Sequence, residues 1–393
     1  MTASRDLADA LAIAHPVEPG PGRAWAPAAH RLAVALPIGV WVDRWDRRTL
    51  IVAANLLRGA ALLVLAVTVQ FGVSSLVVLY AAMAVVGALE SMADSAAVAM
   101  LPSLVDRKHL DSANGRVAAA QLVCDEFAGP PLGGILFALA AAAPVFAMGG
   151  LWASAGLVAL ALPIRRSPQP RADAPPARRP VSAEAREGIA WLARHRVVGI
   201  LALIGALASV GYMLPFSILV LFAEERLGLN GTGYGLLLAF SALGGLLGSF
   251  LAPRLRTWLG YRWTIVTSLL LGALTLGGLA ATTDPVLAGV LLALYILHAV
   301  VWSICALSLR QRLVPDALLG RVGGAARVLS LLRLAVGSAL GGMLGAIDLT
   351  IPVAAGAAVF AGCCLLAAVT LRGELAPDDH SVVAIREVDA ELR

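Results

Sequence analysis

Apolar residues in this chain come in long runs separated by short polar breaks, and the runs have the length of membrane spans. A helix crossing a bilayer needs roughly 20 apolar residues at about 1.5 Å rise each. By that measure the sequence predicts eleven spans, near residues 25–42, 50–70, 75–99, 113–137, 143–163, 197–222, 233–253, 263–282, 285–309, 322–345 and 351–371. His30 and Arg31 interrupt the first. The expected fold class is an all-α polytopic membrane protein.

The longest polar break lies near the middle. From Ile164 to Val181 it holds five arginines and five prolines, a composition that cannot build a core. Ser182 can then cap a helix with Glu184 in its first turn. Over 183–196, Ile189 and Leu192 share one side, with Arg186, Arg194 and Arg196 around the rest. That pattern suits an amphipathic helix on the membrane surface, the other reading being a solvated connector. The layout expected is a non-membrane tail (1–24), a first transmembrane half (25–163), a linker (164–196), a second half (197–371) and a polar, mostly acidic tail (372–393).

Composition agrees. Of 393 residues, 59% are hydrophobic and 14% charged, against about 25% charged in soluble proteins. The net charge of +5 does not point to nucleic acid, because the basic residues lie in short loops. One set of loops holds Arg44, Arg47 and Arg48, then Arg107 and Lys108, then Arg254, Arg256 and Arg262, then Arg310, Arg312 and Arg321; the opposite set holds only Arg226. The basic set is expected to be cytoplasmic, with the linker and the C-terminus, and Trp45, Trp258 and Trp263 lie beside it as interfacial aromatics. Cys124, Cys305, Cys363 and Cys364 all fall in apolar runs, so no disulfide framework is implied. Residues 1–24 lack the apolar core of a signal peptide.

The two halves repeat. At an offset of 208–209 residues, Gly39 falls on Gly248, Leu104-Val105 on Leu313-Val314, and Gly133-Gly134 on Gly341-Gly342. Ala252 and Pro253 stand where Asp43 and Arg44 would be.

The loop Gly39-Val-Trp-Val-Asp43-Arg44-Trp45-Asp46-Arg47-Arg48 packs five charges into six residues between two apolar runs. It resembles the signature loop of the major facilitator superfamily, G-x-x-x-D-R-x-G-R-R. Gly39, Asp43, Arg44, Arg47 and Arg48 match, and Asp46 stands in place of a glycine. The stretches Gly87 to Pro102, Ala113-Asn114-Gly115-Arg116 and Glu126 to Gly134 are similar to the bacterial efflux branch, which includes macrolide and siderophore exporters. Gly129-Pro130-x-x-Gly133-Gly134 matches the end of the drug/proton antiporter motif, but Arg116 and Asp125 replace two of its glycines. The resemblance covers residues 32 to about 371. It implies two pseudo-symmetric halves with a binding cavity between them near the midplane. It also implies that Asp43 engages the opposite half, near Arg321, when the cytoplasmic side closes.

Ionisable residues inside spans are costly and are functional candidates by default. Glu90 and Asp94, at i and i+4, share one helical face. They are the expected proton carriers, although Asp94 can also be read as a solvated boundary residue and Glu90 as a contact between halves. Asp125 and Glu126 are adjacent and point about 100° apart, so they cannot serve one site equally. At the repeat offset Glu90 falls on His298 and Asp125 on Arg333, which suggests charge partners in the opposite half. Arg58 and Arg327 are expected to snorkel toward the inner surface. The glycines in 129–134 and 337–342, including Gly341 and Gly342, with Gly244, Gly245 and Gly248, are read as helix-packing positions, as is Pro130.

Enzymatic chemistry is not expected. The sole lysine, Lys108, is in no P-loop. The histidines, at 15, 30, 109, 195, 298 and 380, lack ligand spacing, so no metal or other cofactor is expected. The expected function is proton-coupled efflux of a small amphiphilic molecule (a drug, macrolide or siderophore-like compound) by a monomer in the plasma membrane. Its partners are the substrate, protons and lipid, not nucleic acid. The alternative is a truncated member without transport. The family has twelve spans and places two before its signature loop; here one precedes Gly39, and residues 1–24 cannot cross a bilayer. Either the chain is truncated, or its start is misread or follows a frameshift and residues before about His30 are not native sequence.

Overall fold

The structure, a computed structural model, describes residues 46–71, 76–140, 142–161, 190–192, 194–315 and 318–371. The expected first span, Asp43 and Arg44, most of the linker and both tails lie outside them. Every long element is a helix, with no strand among the described residues. In chain order these are α1 (Arg47–Gln70), α2 (Leu76–Leu104), α3 (Leu110–Leu122), α4 (Gly129–Leu139), α5 (Ala143–Ala159), α6 (Arg196–Phe216), α7 (Gly231–Ala281), α8 (Pro285–Leu313), α9 (Leu319–Gly345) and α10 (Thr350–Thr370). Six are long and apolar enough to cross a membrane: α1, α2, α6, α7, α8 and α10.

Polar residues mark the helix starts. Asp46, the residue that replaces the signature glycine, caps α1: its carboxylate accepts from the Thr49 amide at 2.9 Å and the Thr49 hydroxyl at 2.8 Å. Asn230 and Asp284 cap α7 and α8 in the same way. The expected spans 233–253 and 263–282 are the two arms of α7, which breaks between them at Gly260. There φ is +71°, a left-handed conformation that a side chain resists. The span expected over 113–137 is helical throughout, with one change of helical register. A π-helical turn, Val123–Ala128, joins α3 to α4 and carries Asp125 and Glu126.

The helices group into two compact units. The first comprises Met1–Leu104, Ala128–Ile189 and Asp316–Leu331; the second comprises Val105–Phe127, Ala190–Pro315 and Leu332–Arg393. At the repeat offset of 208–209, the stretches that change sides correspond to each other. The start of one helix in each sequence half packs with the opposite half.

Close backbone approach holds each unit together internally. In the first, a Cβ on Gly59 of α1 would come within 2.9 Å of the Gly149 carbonyl of α5. In the second, Gly248 of α7 lies on the Leu297 carbonyl of α8, where a Cβ would come within 2.8 Å. Such contacts are the main source of helix association in lipid, where apolar side chains gain little from leaving the tails. Leu151, Leu247 and Leu365 stay more than 60% exposed, as suits faces that meet lipid chains. The second unit also has a dense interior, with Phe222, Tyr295 and Phe360 fully buried.

Candidate functional site: a charged latch and an intramembrane ion pair

The polar centre of the second unit is Asp111, in the first turn of α3, with its side chain 1% exposed. Three groups from the second half of the sequence surround it. The Tyr261 hydroxyl lies 3.0 Å from both carboxylate oxygens. Arg312 Nη2 of α8 donates to Oδ2 at 3.3 Å. Arg256 Nε approaches Oδ2 to 3.0 Å without hydrogen-bond alignment, so that contact is electrostatic. Burial, followed by the Asp111 charge, pushes the Tyr261 phenol far above its ordinary value, so it stays a donor at any physiological pH.

More of α3 joins the same contact. Asn114 Nδ2 donates to Ser308 Oγ at 2.8 Å and Gln311 Oε1 at 2.7 Å, all three side chains buried. Arg107 Nη1 donates to the Arg312 carbonyl at 2.8 Å. Gly115 sits against the Ser249 carbonyl of α7, with no room for a side chain. Residues of the first sequence half are thus latched to α7 and α8 by ionic and hydrogen bonds at the basic ends of the helices. Sequence reading missed Asp111 because it took Arg256 and Arg312 as topology signals, which need no partner. The signal was there: a single acid opening a span directly after Arg107 and Lys108.

Arg47 and Arg48 of the signature loop bind backbone in the first unit. Arg47 Nη1 donates to the Ala99 carbonyl at 2.7 Å. Arg48 closes the end of α5 through the carbonyls of Ala159, at 3.4 Å, and Leu160. Arg262 does the same for α10, donating to Ala368 at 3.1 Å. Ala159 and Ala368 are 209 residues apart, which makes Arg262 the counterpart of Arg48. Arg262 stands five residues further along than the offset places the counterpart of Arg48. The expected contact of Asp43 with Arg321 lies outside the described side chains.

The second polar site lies inside the first unit and corrects the reading of Arg58. That residue does not snorkel. Its side chain is 3% exposed, with Cζ 3.5 Å from the centre of the Trp152 ring of α5. Glu90 of α2 is half-exposed, with Oε1 3.9 Å from Arg58 Nη2. Asp94 is partly buried one turn on and adds to the field at Arg58. The charge partner of Glu90 is thus in its own half, and His298 does not take that place. His298 is fully buried in the second unit between Tyr295 and Phe360, and neither ring nitrogen has a hydrogen-bond partner among the described residues. Asp125 is exposed on the π-helical turn, and the Glu126 side chain is outside the described set. Arg333 is partly buried, and its Nη1 has no hydrogen-bond partner among the described residues. Of the motif glycines, Gly341 packs tightly on Leu214 and Ser217, whereas Gly133 and Gly342 face open space. Gly129 is exposed, and nothing is described around Pro130 or Gly134 beyond their helical backbone.

Known proteins resemble the chain over most of its length. Enterobactin exporter EntS of Salmonella typhimurium is 29% identical over 315 residues, covering 78% of this chain and 72% of the relative. The protein of that name from Escherichia coli O127:H6 is 26% identical over 320 residues, covering 81% and 74%. Among solved structures, a bacterial homologue of the iron transporter ferroportin in an outward-facing state superposes with a TM-score of 0.68 at 22% identity, over 86% of this chain and 87% of that one. The transporter FucP in its outward conformation gives 0.69 at 12% identity, over 89% and 90%. These likenesses agree with the two-unit helical fold. The sequence model of the Major Facilitator Superfamily matches residues 26–338, and this chain, a polytopic membrane transporter, belongs to that family.

Proposed function

We propose that the chain exports small amphiphilic molecules from the cytoplasm by alternating access, driven by protons that enter through Glu90 with Asp94. The observation that carries the reading is the latch at Asp111. It binds α3, from the first sequence half, to α7 and α8 of the second through a network of buried charges. A path from the basic, cytoplasmic side requires that contact to break, and a buried, hydrogen-bonded ionic contact is strong enough to favour one state over another. Glu90 supplies the coupling chemistry: a carboxylate within a span, half-exposed, with an arginine behind it. The relatives named as enterobactin exporters support the direction of transport and the class of substrate.

Everted membrane vesicles with an acidic lumen test this. With enterobactin, erythromycin and ethidium as separate probes, at least one accumulates inside, and nigericin abolishes the accumulation by collapsing the pH gradient. Failure of all three with folded protein in the membrane, or accumulation that ignores nigericin, contradicts the proposal. The first of these outcomes would favour a member of the fold without transport.

A further inference from the structure

Arg58 presents an unusual situation. A guanidinium has five N–H donors and is always charged. Here it is buried on α1, and its Nε has no hydrogen-bond partner among the described residues. Asn55, one turn earlier and also buried, has an unpartnered Oδ1. One face of the guanidinium is closed by Trp152 at 3.5 Å. The nearest anion, Glu90, stops at 3.9 Å, about 1 Å beyond a charge-assisted hydrogen bond. A buried charge so poorly satisfied is costly, and closing that gap relieves the cost. Glu90 can move, being half-exposed; Arg58 is clamped.

We infer that Arg58, held by Trp152, is the positioning residue for the proton on Glu90. When Glu90 gives up its proton, its carboxylate closes onto Arg58. When it takes a proton, the pair opens and the carboxyl group swings toward its exposed side. Arg58 and the proton thus compete for one carboxylate. No covalent bond changes beyond transfer of that proton between Glu90 and water. Among the described residues, the other charged groups near the pair are few. Asp94 lies on α2 itself; α1 contributes Arg58 alone at this depth, with Arg47 and Arg48 at its start; α5 has no ionisable residue. Asp94 attracts Arg58 as well, so it weakens the competition without replacing Glu90.

The inference rests on the proton-coupled reading above, and its test separates the two. Purified protein in lipid is titrated by infrared difference spectroscopy, and the protonated-carboxyl band is assigned to Glu90 by its loss in Glu90→Gln. At one fixed neutral pH the band grows several-fold in Arg58→Gln, because the competing cation is gone. Arg58→Lys, which keeps the charge, stays near wild type, and Trp152→Leu, which frees the guanidinium, falls between. In everted vesicles the pH profile of probe accumulation in Arg58→Gln moves upward by about one pH unit or more, the usual effect of losing an opposite charge at this range. If Arg58→Gln does not fold, Trp152→Leu and Arg58→Lys carry the same comparison. An unchanged Glu90 band in folded Arg58→Gln, or in folded Trp152→Leu where only that variant folds, overturns the inference. A shifted band without proton-driven accumulation leaves the pair intact and refutes the coupling instead.

Discussion

Replacing Asp111 by asparagine keeps the shape of the latch and removes its charge. In the intact contact the carboxylate meets two guanidinium groups and a phenol at 3.0–3.3 Å, and is 1% exposed. Removing one partner of a buried ion pair typically costs about 3–5 kcal/mol, because the remaining charge stays buried. Arg256 and Arg312 are 22% and 14% exposed and recover some hydration, so about 2–4 kcal/mol is expected. Since about 1.4 kcal/mol changes an equilibrium tenfold, the latched form loses roughly 30- to 700-fold against any form with α3 released. Spin labels at Lys108 and Arg254, both exposed, report the separation of α3 from α7 once the exposed Cys124 is replaced by serine. The account predicts one short distance in the parent protein and a second, longer component in Asp111→Asn. Adding Arg312→Gln to Asp111→Asn removes one of the two charges left unpaired and recovers part of that loss. An unchanged distance distribution in protein of normal thermal stability refutes the latch.

Three further outcomes follow from the same contacts. Asn114→Ala removes two buried hydrogen bonds and moves the same distance distribution in the same direction, by about 1–3 kcal/mol. Gly115→Val puts a side chain against the Ser249 carbonyl, where even a Cβ would come within 2.5 Å; the longer distance then dominates, and a short-distance distribution like that of the parent protein counts against the close approach. Asp46→Ala removes the cap of α1 and lowers thermal stability, by about 1 kcal/mol, without moving the Lys108–Arg254 distance.

Much of this architecture is legible in the chain because span length and loop charge are local properties. The helices α1, α2, α6, α8 and α10 stand where the apolar runs put them. The break at Gly260 falls in the loop expected between residues 253 and 263. The π-helical turn at Val123–Ala128 is less legible, because 113–137 reads as one continuous span. The site was legible only in part. Glu90 stands out as an acid within a span, but its neighbours Arg58 and Trp152 come from helices 32 and 62 residues away in sequence. Asp111 is less visible still, because a carboxylate at a helix start is already explained by the helix dipole. What sequence could not supply was the exchange of α3 to the opposite half. That exchange gives Arg256 and Arg312 their partner.

The most direct measurement of the central claim follows protons while substrate moves. Proteoliposomes holding the purified protein are loaded with whichever probe accumulates in everted vesicles, with a pH-sensitive dye in the lumen, and diluted into probe-free buffer at equal pH. As the probe leaves down its gradient, the account predicts that protons enter and the lumen acidifies. Glu90→Gln in folded protein should show no acidification. A lumen that stays at constant pH or turns alkaline while the probe leaves would contradict proton exchange at Glu90.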